Sequence, residues 1–302
     1  MLRNAGTIQS YINNDIPQKE DFINDYINNT ETKDNEEVSP ETISKLEKLI
    51  PIAPKLELTI KDSLYLDVGL KININSLGLV EKSLRKIKDG ITYFGIAAPD
   101  ENKEDINIDF STINTINNII NSNETQINYG RQFRIRFDID ENCYFIKDCS
   151  QGVGYGTCMK IVKEIKIKDN TLINIGENYI VFTFGSDEGE QNENNIENEK
   201  ILNVKVFSGE THNYSYVFNQ SQSYKIYIGK NINCNIVLND DSLEDIHCRV
   251  EYKKGFGWVL NDGYNDKNSE KGTWLCLSEE KKIFEGMIIQ SNQNLFECHL
   301  IN

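Results

Sequence analysis

Tyr227–Ile228–Gly229–Lys230, Cys234–Asn235–Ile236–Val237–Leu238, Ile246–His247–Cys248–Arg249–Val250, Gly257–Trp258–Val259–Leu260–Asn261–Asp262 and Lys271–Gly272–Thr273–Trp274 follow one another toward the end of the chain. Within and beside these stretches apolar side chains recur at every second position: Tyr224, Ile226 and Ile228, then Val250 and Tyr252, then Trp258 and Leu260. A period of two puts alternate residues on opposite faces of an extended segment, one face toward a core. Gly, Asn and Asp cluster between the segments, where turns need them. The reading is all-β.

The same alternation extends upstream. It appears in Leu56, Leu58 and Ile60, in Leu70, Ile72 and Ile74, in Ile135 and Phe137 beside Arg134 and Arg136, and in Tyr144 and Ile146. It returns in Ile165 and Ile167, in Tyr179–Ile180–Val181–Phe182–Thr183–Phe184, and in Leu202, Val204 and Val206. Two interruptions divide it: a polar insertion near 99–128, and an acidic linker at 186–200. The two β regions also resemble each other. Gly156–Thr157 matches Gly272–Thr273 at an offset of 116, and the same offset lays Ile167 on Ile283, Ile173 on Ile289, Asn178 on Asn294 and Phe184 on Leu300. Asp148 falls opposite Asp262, Phe137 opposite Tyr252, Gly95 opposite Gly229 and Leu70 opposite Leu202. The expected architecture is two tandem β-sandwiches, 56–185 and 201–302. An acidic N-terminal arm, 1–55, precedes them and carries a short helix near 40–50. Ser39 caps that helix, Pro40 opens it, and Ile43, Leu46, Leu49 and Ile50 line one side.

Composition excludes several functions. Net charge is −15, and residues 1–50 (ten acidic, five basic) with 186–200 (six acidic, one basic) supply −10 of it. Without a basic block there is nothing to neutralise a phosphate backbone or an anionic bilayer. No apolar run reaches the roughly 18 residues a membrane helix needs, and none follows the start as a secretory signal would, so an intracellular, cytoplasmic address is expected. The seven cysteines (143, 149, 158, 234, 248, 276 and 298) form no paired-Cys motif and read as small hydrophobes. The only histidines are His212, His247 and His299, and no metal-ligand spacing surrounds them. On a strand, the neighbours Cys298 and His299 point to opposite faces. No catalytic constellation, cofactor or metal is expected.

The five motifs quoted first resemble, in order and spacing, the forkhead-associated (FHA) domain family over roughly 201–302. The resemblance is weaker over 68–185, where it rests on Gly95, Asp148, Gly156–Thr157 and the internal repeat. It implies an eleven-stranded β-sandwich whose loops at one end bind a phosphothreonine peptide. Gly229, His247, Gly272 and Thr273 match the family's structural positions, His247 being a brace for the loop. The binding positions depart. Lys230 stands where the family has an arginine and lacks its bidentate fork. Glu244 stands at the phosphate-binding serine, Asp245 at the neighbouring arginine, and Lys271 at the asparagine that holds the peptide backbone. A carboxylate only accepts hydrogen bonds, and it repels a phosphate of about −1.5 to −2. Phosphopeptide binding, if retained, would use Lys230 and Lys271 with Ser242, two positions before Glu244, offering its hydroxyl.

The first region departs further. Ile96 follows Gly95, Tyr129 or a neighbour takes the serine position, Gln132 or Phe133 the histidine position, and Tyr155 the asparagine position. Gly152, Gly154 and Gly156 lie between strand segments, with no Lys-Ser or Lys-Thr to open a nucleotide-binding helix. The expected function is a non-catalytic protein–protein scaffold or adaptor with degenerate pockets. Its partners are other proteins, as in a structural subunit of a large assembly. The asparagine-rich composition suggests, by association, a cytoskeletal or ciliary setting. The alternative is a phosphopeptide-binding module with an altered pocket in the second domain.

Overall fold

The computed structural model describes residues 38–64, 66–83, 85–97, 106–110, 130–150, 156–185, 201–208, 212–221 and 223–301. The arm before residue 38, most of the 99–128 insertion and the linker at 186–200 lie outside the described residues. The chain falls into two compact units, one of them split in sequence by the other. The host unit combines the described residues up to Met159 with 277–301; the inserted unit holds Lys160–Cys276.

The host unit starts with α1 (Pro40–Leu49). Ser39 caps it, its side chain accepting the Thr42 N–H at 3.2 Å, and Pro40 occupies a first-turn position that has no partner to lose. Leu46 is buried, and its carbonyl accepts the Ser76 hydroxyl at 2.7 Å. There follow β1 (Lys55–Ser63), β2 (Lys71–Asn75), β3 (Gly78–Leu79), β4 (Ile91–Ile96), β5 (Ile108–Asp109), β6 (Gly130–Asp138), β7 (Cys143–Asp148) and β8 (Thr157–Lys160). The chain then builds the inserted unit from β9 (Ile165–Lys166), β10 (Thr171–Ile175), β11 (Asn178–Phe184), β12 (Ile201–Ser208) and β13 (His212–Asn219). That unit continues with β14 (Lys225–Gly229), β15 (Ile236–Val237), β16 (Cys248–Lys253), β17 (Gly257–Asp262) and β18 (Trp274–Cys276). Last, the chain returns to the host with β19 (Lys281–Lys282), β20 (Ile288–Ser291) and β21 (Asn294–Ile301).

Each unit is built of two strand layers. In the host these run β8-β20-β21-β1-β2-β3 and β19-β7-β6-β4-β5; in the inserted unit they run β18-β10-β11-β12-β13 and β9-β17-β16-β14-β15. The second layers match in strand order, and the first layers do so except for β3, which has no counterpart among the described residues of the inserted unit; β19–β21 close the host and β9–β11 close the inserted unit. The residue pairs Ile173 and Ile289, and Phe184 and Leu300, place those two closing segments 116 residues apart. The sequence boundaries at 185 and 201 fall inside this arrangement, because an alternating strand does not encode which edge it will join.

The host core shows how complete the closure is. Phe296 of β21 packs against Phe94, Phe110 and Phe133, with ring centroids 5.8–6.0 Å apart, and all four are fully buried. Burying one such side chain stabilises by roughly 1.5–3 kcal/mol. The polar stretch read as an insertion thus contains strand β5 and a core residue, Phe110. Five residues are too few to register as a period. The pairing registers also correct one correspondence. Leu202 and Leu56 pair with Phe184 and Leu300, themselves 116 apart, so Leu202 corresponds to Leu56 and not to Leu70. One alternating strand matches another almost equally well, so sequence comparison alone slipped by a whole strand.

Candidate functional site

The resemblance placed the binding residues on the loops that follow β14, β15 and β17, all within the inserted unit. Gly229 ends β14 where two segments cross at close range. A Cβ there would lie 2.3 Å from the Asp245 carbonyl oxygen and 2.9 Å from that of Glu244. No side chain fits. The glycine lets the Lys230 and Asn231 N–H groups donate to the Glu244 and Asp245 carbonyls at 3.2 and 3.1 Å, which fixes the 240–245 loop beside β14.

His247 is fully buried beneath that loop. Its Nε2 lies 3.1 Å from the Gly272 carbonyl and 3.2 Å from the Ser269 hydroxyl. Ser269 donates to Asp262 through its hydroxyl (2.6 Å) and its N–H (3.0 Å), and its oxygen accepts the Gly272 N–H at 2.9 Å. Thr273 donates its hydroxyl to the same Asp262 carboxylate at 2.8 Å. Gly272 itself has φ +80°, a left-handed conformation that glycine adopts at little cost. His247, Gly272 and Thr273 therefore meet in one buried polar network with Asp262 and Ser269. Ser269 was missed in the sequence; its only signal is a hydroxyl three residues before a turn glycine.

Of the groups expected at a phosphate, Glu244, Asp245, Ser242 and Lys230 are engaged with the protein itself. Glu244 Oε1 accepts the Glu270 N–H, and Oε2 lies 2.5 Å from His247 Nδ1, out of line for a hydrogen bond. Burial tends to raise the Glu244 pKa, but the Glu270 N–H, its own backbone N–H and His247 together hold it below its ordinary value. The carboxylate is ionised and already occupies a backbone donor. Asp245 is exposed, and its Oδ2 accepts from the Asn231 amide at 3.4 Å. Ser242 donates its hydroxyl to Asp240 Oδ1 at 2.6 Å, and its N–H donates to the same oxygen at 2.9 Å. Asp240 Oδ2 in turn accepts from the Glu177 N–H and the Asn178 amide, at 3.1 and 3.2 Å. Lys230 Nζ donates to the Asp241 carbonyl at 3.2 Å. Lys271 is exposed, and its carbonyl accepts the Trp274 indole N–H at 3.1 Å.

The equivalent end of the host unit keeps the scaffold and changes the chemistry. A Cβ on Gly95 would lie 2.1 Å from the Gly130 carbonyl oxygen. Strands β4 and β5 pair in parallel as β14 and β15 do. Asn107 accepts the Tyr93 N–H through its side chain and donates its own N–H to the Tyr93 carbonyl, at 2.8 and 2.9 Å; Asn235 and Tyr227 repeat both bonds at 2.9 and 3.0 Å. Phe133 pairs with Asp148 as Cys248 pairs with Asp262, which sets Gln132, buried, at the histidine position. Asp148 Oδ1 accepts the Thr157 N–H at 2.7 Å and Oδ2 accepts the Ser150 hydroxyl at 2.6 Å. Burial raises the Asp148 pKa to about 6, against the pull of the Ser150 and Thr157 bonds. Ile96 follows Gly95 and is buried. Tyr129 and Tyr155 lie outside the described residues.

Residues 226–292 match the FHA domain family, so the chain contains one FHA domain. No curated protein is similar enough to the chain to count as a relative. An FHA domain is a non-catalytic protein-interaction fold. Among the described residues, no group of three or more His, Cys, Asp and Glu could hold a metal ion, and no helix is long and apolar enough to cross a membrane.

Proposed function

We propose that the chain is a protein–protein interaction scaffold made of two FHA-type sandwiches, the first degenerate, and that neither holds phosphothreonine in the family's manner. The host unit's matching strand order, its Gly95–Gly130 crossing and its repeated Asn–Tyr bonds support the second sandwich. The Glu244 carboxylate carries the functional reading. It stands where the resemblance puts a hydroxyl donor, and it occupies the Glu270 N–H. A phosphate at that place would meet a like charge. At 4 Å and an effective dielectric near 20, two unit charges repel by about 4 kcal/mol. Even a third of that lowers affinity roughly tenfold. Two of the three compensating groups are also committed, Ser242 to Asp240 and Lys230 to the Asp241 carbonyl.

Binding then rests on loop shape and exposed strand edges, with proteins as partners. Residence in a cytoskeletal or ciliary assembly is part of this proposal and rests on composition alone.

The test is titration of the full chain with phosphothreonine peptide libraries and their unphosphorylated counterparts. The expected result is no preference for phosphate, with a preference of at least tenfold appearing in the double variant Glu244→Ser, Asp245→Arg. A strong preference in the unaltered chain, abolished by Lys230→Ala, would replace this reading with an altered phosphopeptide pocket built on Lys230, Ser242 and Lys271.

A further inference from the structure

We propose that residues 7–27 of the acidic arm bind the outer face of the inserted unit's β10–β13 layer and cover it within the same molecule. Residues paired across a ladder share a face, and neighbours along a strand alternate. Ile173, Ile180 and Val206 form one paired row and point into the sandwich. The opposite face therefore carries Leu172 paired with Val181, and Tyr179 paired with Phe207. These four side chains turn away from the core, yet their exposures are only 4%, 1%, 4% and 2%. Something lies over them.

The host shows that the fold does not itself supply this cover. By offset and register, Val181 stands where the host has Glu297, and Phe207 stands where it has Asp62. Leu172 and Tyr179 correspond to Ile288 and Leu295. Of the four host positions Asp62 is exposed and the others are only half-buried. Glu297 binds Lys61 there at 2.9 Å, as a solvated sheet face allows. The same layer in the inserted unit has exchanged two carboxylates for Val181 and Phe207 and hidden both.

The arm suits this face in pattern, charge and reach. Ile8, Tyr11, Ile12 and Ile16 recur at the three-and-four spacing of one helix side, with Thr7 before them as a cap and Pro17 after them as a stop. Phe22, Ile23, Tyr26 and Ile27 add a second apolar cluster. Helices this short take their stability from an apolar surface. The linker at 186–200 has one isoleucine among six acids, and the stretch at 111–128 leaves the host after Phe110 and returns to it at Gly130. Residues 1–37 hold eight acidic and three basic side chains. The face presents Lys205, paired with Val181, and Lys160, whose ammonium lies 6.0 Å from the centre of the Trp274 ring. Its described strand positions carry no carboxylate, so in a chain of net charge −15 it attracts an acidic segment. From Ile12 to the first described residue the tether spans up to roughly 90 Å when extended, several times the ~30 Å of a small domain.

The experiment puts the photocrosslinking residue p-benzoylphenylalanine in place of Ser215 in the full chain and, in a second protein, in place of Thr183. Both positions are half-buried on this face. Equal amounts of isotopically light and heavy chain are mixed and irradiated, and the linked peptides are identified by mass. The expected result, from at least one probe, is a link to a peptide within 7–27 in which both halves carry the same label. It is expected to fall at least about tenfold in the double variant Tyr11→Asp, Ile12→Asp, which sets charge against an apolar surface. A link to 111–128, a link joining light to heavy chain, a link that survives the double variant, or no link from either probe overturns the proposal.

Discussion

The loop ends of the two units share a backbone and differ in what fills it. Both cross two segments at a glycine, Gly229 over Asp245 and Gly95 over Gly130, and both hold the next parallel strand with an asparagine on a tyrosine N–H. Beneath the inserted unit's loops lies a histidine–serine–aspartate–threonine network; the host has Gln132 and an Asp148 bonded to Ser150 and Thr157. What is common is what the chain needs in order to close a sandwich. What varies is what a ligand would touch. A scaffold role requires only the common part.

The strongest way to break the comparison is to cut the chain between the two regions. Residues up to 185 carry β9–β11 of the inserted unit, and residues from 201 carry β19–β21 of the host. Cleavage at a protease site built into 186–200 is therefore expected to leave the two pieces bound as a 1:1 complex through gel filtration, coming apart only in denaturant. Two self-contained tandem domains would separate at once.

The glycine crossings come next. Gly229→Ala and Gly95→Ala each push a methyl group onto backbone, which cannot swing aside as a flexible side chain would. Each is expected to cost about 2–4 kcal/mol in urea unfolding. Equal losses would mean the crossing serves folding in both units; a loss at Gly229 alone would mean that the host has relaxed it. The buried positions beneath should show a smaller effect. His247→Gln removes a ring that touches both Gly272 and Ser269, and an unpaired buried carbonyl costs about 1–3 kcal/mol. The reverse change, Gln132→His, brings a ring into a packed site and is expected to cost a similar amount, because neither network is built for the other's side chain.

Strand positions were legible because burial imposes a period of two, and Trp258, Ile135 and Phe137 all lie inside as the alternation requires. The turn glycines Gly156 and Gly272, both at positive φ, were legible because turns demand particular residues. The crossing of the closing segments was not. Leu300 and Phe184 are both apolar residues near the end of a strand, and nothing in such a strand names its neighbour. At the candidate site the substitutions Glu244 and Asp245 were visible, but their partners were not. The link from Glu244 to the Glu270 N–H spans 26 residues and depends on where two loops meet in space, which no motif spacing carries.

A pH-dependent effect separates the two ends by sign. Asp148 has a folded pKa of about 6, above its ordinary 3.8, so the folded state holds the proton more tightly than the unfolded one. Its contribution to stability is complete below about pH 3.8 and fades as the pH rises through about 6. Glu244 is shifted downward, so its contribution is present above its ordinary 4.5 and fades on acidification below that. Asp148→Asn should therefore lower the melting temperature relative to the unaltered chain most at acid pH and least near neutrality. Glu244→Gln should do the reverse. The Asp148 difference is expected to reach roughly 5–10 °C at most, since a shift of about two pKa units amounts to about 3 kcal/mol. Melting curves of the three proteins between pH 4 and 7.5 would show the two differences crossing. Parallel curves would mean that the two carboxylates sit in the same electrostatic environment, and the contrast between a buried structural acid and a loop carboxylate held by its donors would be lost.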